Sequence, residues 1–209
     1  MRTSLISIFL LALLVPQMAS AAEKPPAGWE KIKQADGIRV LSRSDAGEIL
    51  KVRAITVVQA SLERVKAVID DAAHQPDWVP YLEETRVLQR DSDTEALLYS
   101  RFNAPWPARD RDFVYQSIVS RGTDGVVTYR LRSRQSDLMP PRDDYIRAEL
   151  MEGEYRLVPL APNRTRVEFM FHADPRGHLP LWIVNIVERS FPFDALAGLR
   201  RVVMRSAAK

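Results

Sequence analysis

Ala104-Pro105-Trp106-Pro107-Ala108-Arg109-Asp110-Arg111-Asp112-Phe113-Val114-Tyr115 joins two segments of alternating polarity, residues 96–103 and 113–121. Each proline fixes its own φ and drives the residue before it out of the helical region, so Ala104 and Trp106 are expected to be extended. The run therefore reads as a rigid corner between two strands, with its two Arg-Asp steps available for local ion pairs.

Outward from the corner, period-two alternation marks further strands near residues 38–42, 50–58, 85–90, 126–134, 145–150, 155–160 and 164–173, with Asp45-Ala46-Gly47 as turn chemistry between the first two. One internal helix is expected, with Ser61 as its N-cap and Leu62, Val65, Val68, Ile69 and Ala72 on one apolar face. Residues 76–82 make a short turn, where Trp78 and Tyr81 are expected to close one end of the core. A long helix from Pro180 to about Ser206 ends the chain. Strands in meander with one short and one long helix imply an α+β fold, an antiparallel sheet with its helices on one side.

Parity selects the inward side chains. Val127, Tyr129 and Leu131 share one face, as do Val167, Phe169 and Phe171, and as do Phe113, Tyr115, Ser117 and Val119. Periodicity alone allows these rows to fill an ordinary core. Pro192 stands inside the terminal helical pattern, where a proline costs about 3 kcal/mol. It predicts irregular backbone, either as a break between Arg189 and Phe193 or as a kink that lets the segment move as a lid.

The chain has 209 residues, of which 46% are hydrophobic and 27% charged, and this describes a globular protein of about one domain. The formal charge is only +3 and basic residues are interleaved with acidic ones, which argues against a nucleic-acid-binding stripe. Arginine-rich pieces at 130–134 and 200–205 leave room for docking on anionic lipid. Arg2, the apolar run 5–15 and Ala19-Ser20-Ala21 have the form of a signal peptide. The expected organisation is thus a signal peptide at 1–21, a leader at 22–28 and one domain at 29–209, cleaved and exported to the periplasm.

No catalytic constellation emerges. There is no cysteine, no G-x-S-x-G elbow, no glycine-rich phosphate loop and no H-E-x-x-H helix. The histidines at 74, 172 and 178 lack a convincing third ligand for a metal site. Neither an enzyme nor a cofactor is expected from these residues.

The corner, with its aromatic-proline pair, polar spacer and Arg-Asp-Phe-Val-Tyr, resembles the middle of a START domain, the steroidogenic-acute-regulatory-related lipid-transfer family. The stretch Asp174-Pro175-Arg176-Gly177-His178-Leu179-Pro180-Leu181-Trp182-Ile183-Val184-Asn185 resembles that family's entry into its C-terminal helix. Phe191-Pro192-Phe193-Asp194-Ala195-Leu196 is similar to its mid-helix proline pattern, and Tyr145-Ile146-Arg147-Ala148-Glu149 to the strand after its loop over the cavity mouth. The resemblance implies a helix-grip fold, a curved antiparallel sheet wrapped around the long C-terminal helix with an internal hydrophobic cavity.

It further implies that the cavity binds a single lipid and can transfer it, with transient contact at a membrane surface, no cofactor, no nucleic acid, and protein partners unknown. The implied lipid-binding residues are Tyr99, Arg101, Phe113, Tyr115, Ser117, Val127, Tyr129, Leu131, Val167, Phe169, Phe171, Trp182, Ile186 and Leu196. The implied gate is Leu138, Met139, Phe191, Pro192 and Phe193. Many members carry an acid and an arginine facing each other in the cavity, and the matching places here hold Arg101 and Ser117. Arg101 then has three fates: pointing outward, pairing with an acid such as Glu149, or awaiting an anionic head group. The alternatives in function are a helix-grip enzyme of the polyketide cyclase type and a ligand-gated protein adaptor.

Overall fold

A computed structural model describes residues 25–44 and 50–205. The expected signal peptide and the Asp45-Ala46-Gly47 turn lie outside the described residues. The chain runs through β1 (Glu30–Ala35), β2 (Ile38–Arg43), β3 (Lys51–Val58), α1 (Leu62–Asp70) and a 3-10 turn (Ala72–Asp77). It continues with β4 (Leu82–Ser92), β5 (Glu95–Phe102), β6 (Arg111–Arg121), β7 (Val127–Ser133), β8 (Ile146–Arg147), β9 (Glu149–Ala161) and β10 (Arg164–Asp174). The end is α2 (Leu181–Asn185), a π-helical turn (Ile186–Ser190) and α3 (Phe191–Arg205).

The strands form one sheet in the order β1-β2-β3-β10-β9-β7-β6-β5-β4, antiparallel throughout except that β8 lies parallel to β6. After β3, helix α1 carries the chain to the far edge, and the meander returns until β10 pairs with β3. This is the expected α+β helix-grip architecture. Curvature brings Phe102 of β5 and Phe171 of β10 against the same Phe191 ring, at 6.0 and 5.5 Å, although three strands lie between them.

Local chemistry explains the elements. The Ser61 hydroxyl accepts from the Arg64 amide at 3.4 Å, and Leu62, Val65 and Ile69 are the buried face of α1. The Gln75 side-chain amide donates to the last-turn carbonyl of Ile69 at 2.9 Å. β1 is a strand that alternation did not mark, because Glu30, Lys31 and Lys33 belong to an exposed edge where charge discourages further pairing. The segment 149–161 is one strand of 13 residues rather than the two expected strands. Its Glu152-Gly153-Glu154 centre reads as a turn, but pairing with β7 on one side and β10 on the other holds it extended. Trp78 is buried as expected; Tyr81 is not, since its backbone at φ 61° turns the side chain out to 44% exposure.

Irregular backbone falls immediately before the proline. The π-helical turn ends at Ser190 and α3 begins at Phe191, which places Pro192 in the first turn of a new helix, where no partner is needed for the missing N–H. From there α3 packs Phe193, Ala195, Leu196, Leu199 and Val203 against β2, β3, β10 and α1. Leu196 and Leu199 are fully buried, each contributing about 2 kcal/mol by removal from water. The helix also closes on the segment after the 3-10 turn. A Cβ at Gly198 would lie 2.2 Å from the Trp78 carbonyl oxygen, so only glycine permits this approach.

Gly198→Ala is therefore expected to force backbone apart and destabilise the protein by about 3 kcal/mol. Urea unfolding followed by tryptophan fluorescence measures it; an unchanged midpoint would show that α3 does not need this contact.

Candidate functional site

Cross-strand register grades the concave face from core to pocket. Val127, Leu157 and Val167 are aligned across β7, β9 and β10 and are almost fully buried. The next row, Tyr129, Tyr155 and Phe169, and the one beyond it, Leu131, Gly153 and Phe171, line a pocket of about 560 Å³. Its far wall is Ala96, Leu98, Ser100 and Phe102 of β5 with Phe113, Tyr115, Ser117 and Val119 of β6. Ile69 of α1, Val79, Ile183, Ile186, Val187 and Phe191 complete the lining. Phe191 ties wall to wall, because Phe102 also meets Phe113 edge-on at 5.7 Å and Phe169 stacks on Phe171 at 5.6 Å.

Polar groups interrupt this largely apolar lining, among them Ser100, Tyr115, Tyr129 and Tyr155 on the strands and Lys66 and Asp70 on α1. Ser100 bonds the Tyr115 hydroxyl at 2.9 Å and the buried Thr85 hydroxyl at 3.0 Å. Tyr129 donates to Asp70 at 2.8 Å, and Asp70 is also paired with Lys66. Tyr155 stacks on Phe169 at 4.6 Å. Burial raises the pKa of Tyr129, Tyr115 and Tyr155 above the ordinary phenol value; the Asp70 bond raises Tyr129 further, whereas the Ser100 bond partly offsets the rise at Tyr115. All three are neutral hydroxyls. Among the described residues no group of three acidic, histidine or cysteine side chains is placed to hold a metal.

The proline corner organises one end of the sheet. Pro105 to Ala108 form a turn closed by an Ala108 N–H to Pro105 carbonyl bond of 3.0 Å, with a cis bond between Trp106 and Pro107, and Asp110 accepts from the Ala104 amide at 2.9 Å. Each charged residue after it reaches a different segment. Arg109 donates to the Asp143 carbonyl, and buried Arg111 donates to the carbonyls of Pro175 and Arg176, both at 3.3 Å. Burial lowers the Arg111 pKa, against the attraction of Asp110. Asp112, 1% exposed, takes two bonds of 2.9 and 3.0 Å from Arg147, whose guanidinium also reaches the Met139 carbonyl at 3.2 Å. The loop between β7 and β8 and the loop after β10 are thus fastened to the corner. The corner itself exposes Trp106 to 89%, the first of these loops Leu138 to 55%, and α2 Trp182 to 45%.

Of the expected contact residues, Phe113, Tyr115, Ser117, Tyr129, Leu131, Phe169, Phe171 and Ile186 line the pocket. Val127, Val167 and Leu196 belong instead to the core beneath it, and Trp182 faces solvent. Tyr99 and Arg101 are on the opposite face of β5. Pairing of Ser100 with Phe113 and of Arg101 with Asp112 puts the even residues of β5 with the odd residues of β6, so the expected parity was off by one. Arg101 pairs outside with Glu83 at 2.9 Å and donates to the Tyr145 hydroxyl at the same distance, while Glu149 is held by Arg176 at 2.8 Å. Of the expected gate, Phe191 lines the pocket, whereas Leu138 and Met139, on the loop between β7 and β8, are not among the residues that line it. Pro192 and Phe193 are core residues, with Lys33 of β1 lying 3.8 Å over the Phe193 ring. Leu98, Ser100, Phe102 and Tyr155 line the pocket without having been singled out in the sequence; the charge of Arg101 was the signal against placing its row inside.

Comparison with known proteins adds to this geometry. An uncharacterized protein of Pseudomonas aeruginosa is 28% identical over 82% of this chain and 85% of its own length. The mitochondrial steroidogenic acute regulatory protein of Gallus gallus is 30% identical over 86% of this chain, which spans 66% of that protein. A STAR-related lipid transfer protein fragment from Xanthomonas axonopodis superposes with a TM-score of 0.74 at 30% identity, over 85% of this chain and 99% of the fragment. The Zhui aromatase/cyclase from Streptomyces shares the fold alone, with a TM-score of 0.50 at 15% identity over 75% of this chain and 94% of the enzyme. The family model described as START domain matches residues 15–209, so the sheet, the terminal helix and the pocket between them are those of a chain that belongs to the START domain family.

Proposed function

We propose that this protein binds one lipid molecule in the pocket and exchanges it at a membrane surface, without chemical turnover. The observation that carries the reading is the concave wall itself: about 560 Å³ lined by aliphatic and aromatic side chains, a size and character suited to a small apolar molecule. Burying an acyl chain removes about 0.8 kcal/mol per methylene from water, so such a pocket lowers the barrier to moving a lipid through an aqueous space. Lipid transfer in the name of the Xanthomonas relative supports the same reading. A cyclase-type activity has weaker support, since the cyclase likeness is one of fold alone and the tyrosines of the wall are all neutral. Incubating the protein with vesicles of mixed lipids, reisolating it and extracting it tests the proposal. Recovery of an unchanged lipid in a one-to-one ratio is expected; a chemically altered product would favour the enzyme.

Trp106, Leu138 and Trp182 are the proposed contact with the bilayer, and Phe191 lines the pocket. Indole rings favour the headgroup level, and Trp106 is left almost uncovered by the described residues. Trp106→Ala is expected to slow vesicle-to-vesicle transfer about tenfold with no change in unfolding midpoint. Transfer at the original rate would place docking elsewhere.

Export to the periplasm is part of the same proposal and rests on Arg2, the apolar run 5–15 and Ala19-Ser20-Ala21. N-terminal sequencing of protein from the producing bacterium is expected to begin at Ala22 or Glu23. An intact Met1 in soluble protein would contradict it.

A further inference from the structure

The pocket wall carries hydroxyl groups with unused hydrogen-bonding capacity. Thr85, Ser100 and Tyr115 contribute one O–H each and share two hydrogen bonds, of 3.0 and 2.9 Å, so one proton of the three is left without a partner among the described residues. Tyr155 stands near Tyr115, which contributes to its electrostatic surroundings, and its hydroxyl makes no hydrogen bond to any described residue. Its ring is fixed by the stack on Phe169 at 4.6 Å and an edge contact with Tyr129 at 6.4 Å. Buried donors normally find acceptors, and here the space that would hold one is the pocket itself.

The same wall is poor in positive charge. Lys66 is held by Asp70, and Arg111 by backbone carbonyls at the corner. Arg90, the other lining cation, is five residues along β4 from Thr85, roughly 17 Å at strand spacing. Arg101, the residue that resemblance would offer to an anion, is outside and paired with Glu83. Burial already raises the pKa of Tyr115 and Tyr155, so this is a place where negative charge is costly.

We infer that the pocket selects a neutral lipid whose polar group is a hydroxyl or carbonyl seated on Ser100, Tyr115 and Tyr155, and that it rejects lipids with an ionised head. The inference rests on the lipid-binding reading proposed above and adds the chemical class of the ligand. Tyr155 is the discriminating residue, because removing its hydroxyl breaks no hydrogen bond within the described protein.

Three probes of equal chain length separate the terms: hexadecane, 1-hexadecanol and hexadecanoate, the last at a pH where it is ionised. Binding of the isotope-labelled probes is measured by equilibrium partition with the full chain. The alcohol is expected to bind about tenfold more tightly than the alkane, and at least about a hundredfold more tightly than the carboxylate. Tyr155→Phe, with its unfolding midpoint unchanged, should remove most of the preference for the alcohol over the alkane while leaving the alkane as it was. Ser100→Ala is a second variant of the same wall and should act in the same direction. Equal binding of alcohol and alkane, tighter binding of the carboxylate, or an unaltered preference in both variants would overturn the inference. If none of the three probes binds, the lipid-binding reading falls and the inference with it.

Discussion

The concave face of the sheet is wider than the helix that packs on it, and the other features follow from how that mismatch is distributed. α3 covers β2, β3 and β10 while α1 covers β9 and β10, so that Val127, Leu157 and Val167 lie in a closed core. Beyond that row β7, β9 and β10 continue, and Tyr129, Tyr155 and Phe169 line the pocket, with Phe191 against Phe169. Such apolar surface is unfavourable when left to water. The helix cannot simply shift to cover it, because Gly198 holds α3 against the Trp78 carbonyl. A pocket is what remains when one helix is locked at one end of a large curved sheet.

Two devices frame that pocket. The π-helical turn ahead of Pro192 lets the chain change direction between α2 and α3, so that Ile186 and Phe191 meet the pocket while Phe193 enters the core. At the corner, Arg109 and Asp112 hold the connection between β7 and β8, and Arg111 holds the loop after β10. Buried ionic groups are tolerable only when fully bonded, and Asp112 meets that requirement through both nitrogens of Arg147. The exposed indole of Trp106 is therefore presented from a braced turn rather than a loose loop.

The interior chemistry follows the parity of β5. Had Arg101 faced inward, a guanidinium in the pocket would have called for an anion. The observed pairing sends it out to Glu83 and Glu84 and puts Ser100 in the wall instead. A one-residue difference in register thus exchanges a cationic interior for a neutral, hydroxyl-bearing one.

Much of the architecture was legible in the sequence. The strand periodicity, the Ser61 cap, the corner prolines and Pro192 are local signals, set by dihedral restriction and by alternation of apolar residues, and they specify an antiparallel sheet with a long interrupted helix at its end. The inward rows of β6, β7 and β10 followed from the same alternation. Other features needed contacts between distant segments. Gly153 is held in a strand by neighbours on both sides, Val127 and Val167 are core because they join one buried cluster with residues of α1 and α3, and β5 has apolar residues on both faces, so its orientation is set by pairing with β6. Local sequence fixes the direction in which a side chain alternates; which face meets the helix, which meets the pocket and which meets water is decided only when the strands find their partners.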